Sequence, residues 1–250
     1  MVAAITLVRL SDHEWDSLAR LDPLWAICSR DDARNGRWDL DAFFASGADE
    51  VEAVFSHLEA RPARFGTALD FGCGAGRTVR ALSERFELCY GVDSSAEMIR
   101  LAREFNGDRP NCVFEHKSYP LLAQIGSDSI DFVYSSLVLQ HLASERDVLD
   151  YLREFVRVVR PGGTIVFQLP SRLPVRHRLQ PRRRLFRALA RLGLSEGWLY
   201  RRARLHPISM IGVDETQVRS LLAGVGAAVR RVETVDPNSA LAGKRYFAEA

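Results

Sequence analysis

Thr67-Ala68-Leu69-Asp70-Phe71-Gly72-Cys73-Gly74-Ala75-Gly76-Arg77 is the stretch whose reading decides the fold. Thr67-Ala68-Leu69 leads in as a short apolar strand, and Thr78-Val79-Arg80-Ala81-Leu82 begins a helical pattern behind it. A strand that turns through Gly-x-Gly-x-Gly into a helix brings bare backbone and unpaired helix N–H groups close to a ligand. Side chains at Gly72 or Gly74 are expected to fill the space where that ligand lies. The dinucleotide fingerprint Gly-x-Gly-x-x-Gly does not fit. Counted from Gly72, its third glycine falls on Arg77, too bulky for close helix–strand packing. Taken alone, the turn also suits a tight loop in any α/β protein.

Its companions narrow the reading. Glu87-Leu88-Cys89-Tyr90-Gly91-Val92 reads as the next strand and ends on Asp93, 23 residues after Asp70. That is about where a nucleotide-binding unit places a carboxylate to accept from both ribose hydroxyls. Further on come Asp131-Phe132-Val133-Tyr134-Ser135-Ser136-Leu137-Val138-Leu139-Gln140-His141-Leu142 and then Arg160-Pro161-Gly162-Gly163. On these residues the chain closely resembles the class I S-adenosylmethionine-dependent methyltransferases, from about Thr67 to Gln168, with a looser tail to the C-terminus. Four motifs in the right order make the resemblance specific for cofactor and fold, and not for substrate. It implies S-adenosylmethionine as cofactor and an α/β, Rossmann-like, doubly wound sheet of seven strands in the order 3-2-1-4-5-7-6.

In open α/β sheets ligands sit outside the carboxyl ends of the strands, at the switch point. That places Asp70, Gly72, Asp93, Ser135 and the Leu137–His141 segment around one crevice. The cofactor-binding set read from the turn, the strand ends and the resemblance is Asp70, Gly72, Gly74, Gly76, Asp93, Ser94, Met98, Ser135 and Leu137. Ser95 suits the cap of a helix from Ala96 to Phe105, with Glu97 in its first turn. Met98, one helical turn from Ser94, either packs on an adenine ring or serves the core. Cys112-Val113-Phe114-Glu115-His116 is a third strand, followed by Lys117-Ser118 where the family often has an acid. The group that reads the adenine amine is therefore not named by the motif.

His141 is the one base on that rim whose unperturbed pKa is near neutrality. As the catalytic candidate it takes a proton from a substrate hydroxyl while the methyl group transfers. Alternatively it caps, or packs beneath, the helix beginning near Ser144. The family often carries a Gln-His or His-His pair here whatever the substrate. Gln140, its neighbour, is assigned to substrate binding.

At 250 residues the chain holds one large α/β domain or two small ones. Its 47% apolar and 26% charged residues are those of an ordinary soluble globule, expected in the cytoplasm. Cys28, Cys73, Cys89 and Cys112 show no paired metal spacing and read as free thiols in a reducing compartment, with no metal site. Met1-Val2-Ala3-Ala4-Ile5-Thr6-Leu7-Val8 is too short for a secretory core, and no run is long enough to span a bilayer.

Residues 1–60 stand outside the alternating strand–helix pattern and read as a helical cap on a methyltransferase domain of 61–250. They hold three of the four tryptophans, Trp15, Trp25 and Trp38, and Asp41 to Leu58 has helical periodicity. Many small-molecule methyltransferases carry an N-terminal segment that covers the cofactor and builds part of the substrate pocket. Trp25, Trp38 and Phe43 are the aromatic candidates for that lining, the plainer alternative being that they pack the helices onto the sheet.

Residues 171–210 hold eleven arginines and a single acid, Glu196, for a net +10, so the rest of the chain carries −8. Arg183, Arg187 and Arg191 share one helical face, while Leu185, Leu189 and Leu192 fall on another. Four readings compete: a lid helix with a solvated face, a homodimer contact, a clamp for an acidic substrate, and a surface for membrane or nucleic acid. The first two are favoured, because lysine occurs only at 117 and 244 against 32 arginines, so arginine excess alone says little.

Nucleic-acid methylation is disfavoured. The chain lacks the Asn/Asp-Pro-Pro-aromatic tetrapeptide of base-amine methylation, the Pro-Cys thiol of cytosine attack, and the paired-glutamate loop that binds arginine. The expected function is O-methylation of a small molecule, sugar or natural-product acceptor. The alternatives are N-methylation, carboxyl methylation of a peptide or acidic substrate, and a non-catalytic cofactor-binding scaffold.

Overall fold

The computed structural model describes residues 10–58, 65–116, 122–174, 179–235 and 243–250, with side chains from Glu14 onward at the N-terminal end. Lys117 and Ser118 lie outside the described residues. The centre is a sheet of seven strands: β1 (Thr67–Phe71), β2 (Leu88–Asp93), β3 (Cys112–His116), β4 (Ile130–Ser135), β5 (Val159–Leu169), β6 (Ala228–Val235) and β7 (Gly243–Glu249). Their order is β3-β2-β1-β4-β5-β7-β6. The first five run parallel, and β7 pairs antiparallel with both β5 and β6.

Strand β4 is buried at all six positions because helices cover both faces of the sheet. Alternation along the strands splits the core in two. Leu69, Val133, Ile165 and Phe167 pack with Val148, Leu152 and Phe155 of α6 (Glu145–Val158) and Val218 and Leu222 of α9 (Glu215–Gly224). Ala68, Phe132, Tyr134 and Val166 pack with α3 (Leu40–Ser56), α4 (Arg77–Leu82) and α5 (Ala96–Phe105) on the other face. Side-chain caps start these helices where short polar residues stand. Asp39 accepts from the Ala42 N–H, Ser95 from Met98 and Ser144 from Asp147.

Strand β5 begins at Val159 and takes in Pro161-Gly162-Gly163. A bulge between the Ile130↔Val159 and Phe132↔Thr164 pairs absorbs the extra residues, and the C-terminal Ala250 carbonyl accepts from Gly162 N–H. His141 does not cap α6. That role belongs to Ser144, and His141 sits in a single 3-10 turn, Leu139–His141.

Before β1 lie α1 (Leu10–Leu21), α2 (Pro23–Ile27) and α3. After β5 come α7 (Pro181–Arg191) and α8 (Glu196–Arg201), separated near Gly193, whose φ of 91° suits the break. All four cysteines are free. Among the described residues no helix is long and apolar enough to cross a membrane, and no His/Cys/Asp/Glu group could hold a metal ion.

Candidate functional site

The turn after β1 is tied to the end of β2, since Gly72 and Cys73 both donate to the Val92 carbonyl. Asp93 closes β2 with its carboxylate oriented by backbone donors. One oxygen accepts from Gly74 N–H at 2.9 Å and the other from Ser95 N–H at 2.8 Å. A carboxylate accepts but does not donate, so a ligand hydroxyl that meets Asp93 must donate to it.

The glycines are required for a different reason than expected. A Cβ at Gly72 would meet Val138 at 2.2 Å, and one at Gly74 would meet Ile27 of α2 at 2.7 Å. Val138 and Ile27 thus fill the space on the side-chain side of these two glycines, packing the segment after β4 and the cap onto the turn. Gly76 has φ +82° and begins α4, and a Cβ there would strike Asn106 and the Phe114 ring. Arg77 occupies the place where the dinucleotide fingerprint has a glycine, and the relief comes from the neighbouring helix. Gly47 of α3 lets Arg77 lie so close that a Cβ would be 2.6 Å from its carbonyl oxygen.

Other predicted cofactor residues are engaged locally. Asp70 is buried and accepts from the Thr78 hydroxyl; burial pushes its carboxyl up to about 7 against that bond. Ser135 is fully buried and donates to the Phe71 carbonyl at 3.0 Å, bridging β4 to β1. The Ser94 carbonyl lies 3.0 Å from Nε2 of His116. Met98 packs with Leu18, Trp25 and Tyr200, joining α5 to the cap. Helix α1 is pinned to the same spot, because Asp16 accepts from Ser95 Oγ and Glu97 N–H.

A cavity of about 610 Å3 opens beside this crevice, a volume suited to a small ligand. Trp15, Trp25 and Ile27 form one wall and Leu137, Gln140 and His141 another. Gln180, Arg182 and Arg183 at the start of α7, with His206, Ile208 and Met210, complete it. Among the described residues no Asp or Glu lines it. Of the predicted substrate residues, Trp25 and Gln140 face this cavity. Trp38 and Phe43 do not: Trp38 donates to the Cys28 carbonyl, and Phe43 is fully buried against Ala75 and Leu101. Both aromatics serve packing: Phe43 in α3, and Trp38 just ahead of it.

The chain folds back after α8 to fasten this wall, with Ile211 N–H donating to the Gln140 carbonyl. Nδ1 of His141 lies 2.6 Å from the Ser209 carbonyl, which can only accept, so the proton is on Nδ1. Nε2 is then the acceptor and faces the Gln140 amide at 3.2 Å. Trp15 packs edge-on against the ring. Burial pushes His141 down to about 4, and burial with Arg34 and Arg182 nearby lowers His206 as well. Both histidines are neutral at pH 7, so the charge in the cavity comes from arginine. Arg183 is committed to the Pro207 carbonyl and to Glu14 of α1, which also binds Arg187. Among the described residues Arg182 has no such partner.

Sequence reasoning missed a polar group under the cap. Glu50 of α3 accepts from Arg77 and from the Tyr134 hydroxyl, and Arg77 is only 5% exposed. Burial favours a neutral Glu50, but Arg77 and Tyr134 hold its carboxyl below the usual 4.5. An arginine inside a glycine turn was the available signal, since such a side chain needs both room and a counter-charge. Asp22, buried and accepting from Tyr200 and the Asn35 and Gly36 N–H groups, likewise locks the cap to α8.

Comparison with known proteins agrees with this geometry. A family profile described as a methyltransferase domain matches residues 69–167. Trans-aconitate 2-methyltransferase of Azoarcus sp. is 33% identical over 137 residues, covering 53% of this chain and 51% of that one. Malonyl-acyl-carrier protein O-methyltransferase of Salmonella typhimurium is 33% identical over 117 residues, covering 47% and 43%. The chain thus spans about half the length of the curated relatives it matches. In fold it is similar to Haemonchus contortus phosphoethanolamine N-methyltransferase 1, solved with phosphoethanolamine and S-adenosylhomocysteine. That likeness has a TM-score of 0.65 at 14% identity and covers 96% of this chain and 48% of that one. Residues 69–167 are thus matched as a methyltransferase domain, and with the motif and strand order the relatives support reading the chain as a class I S-adenosylmethionine-dependent methyltransferase.

Proposed function

We propose that the protein transfers the methyl group of S-adenosylmethionine to an oxygen of a small acidic acceptor, a carboxylate above all. The observation that carries this reading is the cavity beside the crevice, lined by arginines, neutral histidines and apolar side chains, and by no acid among the described residues. Asp93 would hold the ribose diol, with the Gly72–Gly76 turn backing the rest of the cofactor. Bound there, S-adenosylmethionine supplies an electrophilic methyl on a good leaving group.

The remaining work falls to the chain's own residues. Arg182 binds and aims the acceptor's anionic group, and Trp15, Trp25 and Ile27 shape its apolar part and exclude water. The acceptor oxygen forms its bond to carbon as the sulfur–carbon bond breaks, and the products are a methyl ester and S-adenosylhomocysteine. A carboxylate arrives already ionised, so no proton has to move. That accords with a His141 whose burial makes it a weak base. The helices before β1 and the 171–210 segment serve as the walls of the acceptor site. The names of the two curated relatives, an aconitate and a malonyl methyltransferase, are those of proteins acting on acids.

A second reading, hydroxyl methylation, is favoured by one feature. Ser209 fixes His141 in the tautomer whose Nε2 can accept a proton. One scaffold offered as carboxylic acid, primary amide and alcohol separates the two, with product identified by mass spectrometry. Ester formation from the acid is the expected result. Methylation of the alcohol with the acid inert would overturn the carboxylate assignment, and inertness of every acceptor alongside intact cofactor binding would favour a scaffold.

A further inference from the structure

Helix α7 buries only a narrow apolar strip, Phe186 with Leu189 and Ala190 packed against Leu199 and Leu205. Its inward face carries Arg183 and Arg187, both bonded to Glu14, on either side of the buried Phe186. Its outward face carries Pro181, Leu185, Ala188 and Leu192 at helical spacing, all exposed, with Leu185 at 50% and Leu192 at 77%. An amphipathic helix on a globular protein ordinarily keeps its solvent face polar, so this second, exposed apolar stripe is unusual.

Leu179, Leu194 and Trp198, close by in the chain, are exposed as well. Five of the eight exposed large apolar side chains among the described residues fall within 179–198, so exposed apolar surface is concentrated in this segment. Arginine borders it. Arg184 and Arg191 flank the α7 stripe on one side and Arg182 on the other, while Arg201 at the end of α8 and Arg202 and Arg204 after it are exposed. The one acid of the segment, Glu196, accepts from the Ser17 hydroxyl of α1.

We propose that this face docks on the surface of an anionic phospholipid bilayer. Leucines and Trp198 enter the boundary between headgroups and acyl chains, and the flanking arginines meet lipid phosphates. A second copy of the chain is a poor occupant, since two-fold pairing sets the same arginines against each other with no acid on the face. A nucleic acid would use the arginines but leaves the exposed leucines in water. The face also runs into the cavity, because Pro181 and Arg182 belong to both. An acidic acceptor with an apolar tail could then pass from lipid to cavity without crossing water. The docking itself does not depend on the methyl-transfer reading.

Sedimentation of the full chain with phosphatidylglycerol–phosphatidylcholine vesicles, against phosphatidylcholine alone, tests the proposal. Binding is expected to the anionic vesicles and to weaken severalfold as ionic strength rises from about 0.1 M to about 1 M, where the screening length falls from about 10 Å to about 3 Å. Leu185→Ser with Leu192→Ser should lower partitioning at least tenfold, and Arg184→Gln with Arg191→Gln should abolish the preference for anionic lipid. Trp198 emission should shift to the blue on binding, with the Trp198→Phe variant supplying the background of the other tryptophans. Affinity for S-adenosylhomocysteine should be the same in every variant, which shows that each is folded. No pelleting with anionic vesicles, or pelleting that the leucine pair leaves unchanged, overturns the proposal. So does a doubled sedimenting mass that those same leucines abolish, which assigns the face to a second copy.

Discussion

Asp93→Asn is the substitution that interrogates the cofactor crevice most directly. Two ribose hydroxyls bonded to a carboxylate make charge-assisted hydrogen bonds worth about 1.5–3 kcal/mol each, and a neutral amide oxygen replaces them with one bond of about 1 kcal/mol. The loss is roughly 2–5 kcal/mol, or about 30- to 3,000-fold in Kd at about 1.4 kcal/mol per tenfold. The same carboxylate also holds the turn, through Gly74 N–H and Ser95 N–H. An amide offers one acceptor oxygen, so one of those donors loses its partner at a cost of about 1–3 kcal/mol. At about 2–4 °C per kcal/mol for a chain of this length, the free protein's Tm falls by about 2–12 °C. Calorimetric titration with S-adenosylhomocysteine measures the first effect and thermal melting without ligand the second. At a hundredfold excess over Kd the ligand adds about 2.7 kcal/mol to the wild type, a rise in Tm that the variant should lose at the same concentration. The reasoning is refuted if the variant melts lower yet binds within about threefold of wild type. Asp93 would then support the turn and not the ribose.

Glu50→Gln strands a buried Arg77 and should cost about 3–5 kcal/mol, with part of the loss recovered in the Glu50→Gln/Arg77→Met double variant. Urea unfolding of the two singles and the double checks the coupling. The folded Glu50 carboxyl lies below its unfolded value of 4.5, so its contribution is present above that pH and lost as pH falls through the folded value. Tm measured from about pH 6 to about pH 3 should therefore drop more in wild type than in Glu50→Gln. For an acid acceptor, kcat should stay flat from about pH 8 down to about pH 5, with any His141-dependent change only near its pKa of about 4, and His141→Gln should cost less than about tenfold. A loss of about 100-fold would restore His141 as the base. Arg182→Gln should raise KM for the acid by about tenfold, less so at high salt, without changing cofactor affinity; an unchanged KM would remove Arg182 from the acceptor site.

The nucleotide-binding half of the sheet was legible from local chemistry alone. Glycines at 72, 74 and 76, an acid at 93 and serine caps at 95 and 144 act within a few residues of their own position, and periodicity marks the strands between them. Those signals are written along the chain, so reading along the chain recovers them. What occupies the space around the turn is another matter. Val138 and Ile27 come from segments 66 and 47 residues away from the glycines they cover, and no spacing rule links them. Phe43 and Trp38 have the composition of a pocket lining and the position of core packing. His141 keeps the ordinary chemistry of a histidine until burial under Trp15 and the Ser209 carbonyl settle its charge and tautomer. In α7 the arginine and leucine faces were readable as a pattern, but the structure divides each: Arg183 and Arg187 turn inward to Glu14, more than 160 residues upstream, and Leu189 packs beside Phe186, while Arg191, Leu185 and Leu192 stay exposed. Side-chain chemistry is a local property and was read from the residues; burial, counter-charge and the direction a face points belong to contacts between distant segments, and only the folded chain brings those together.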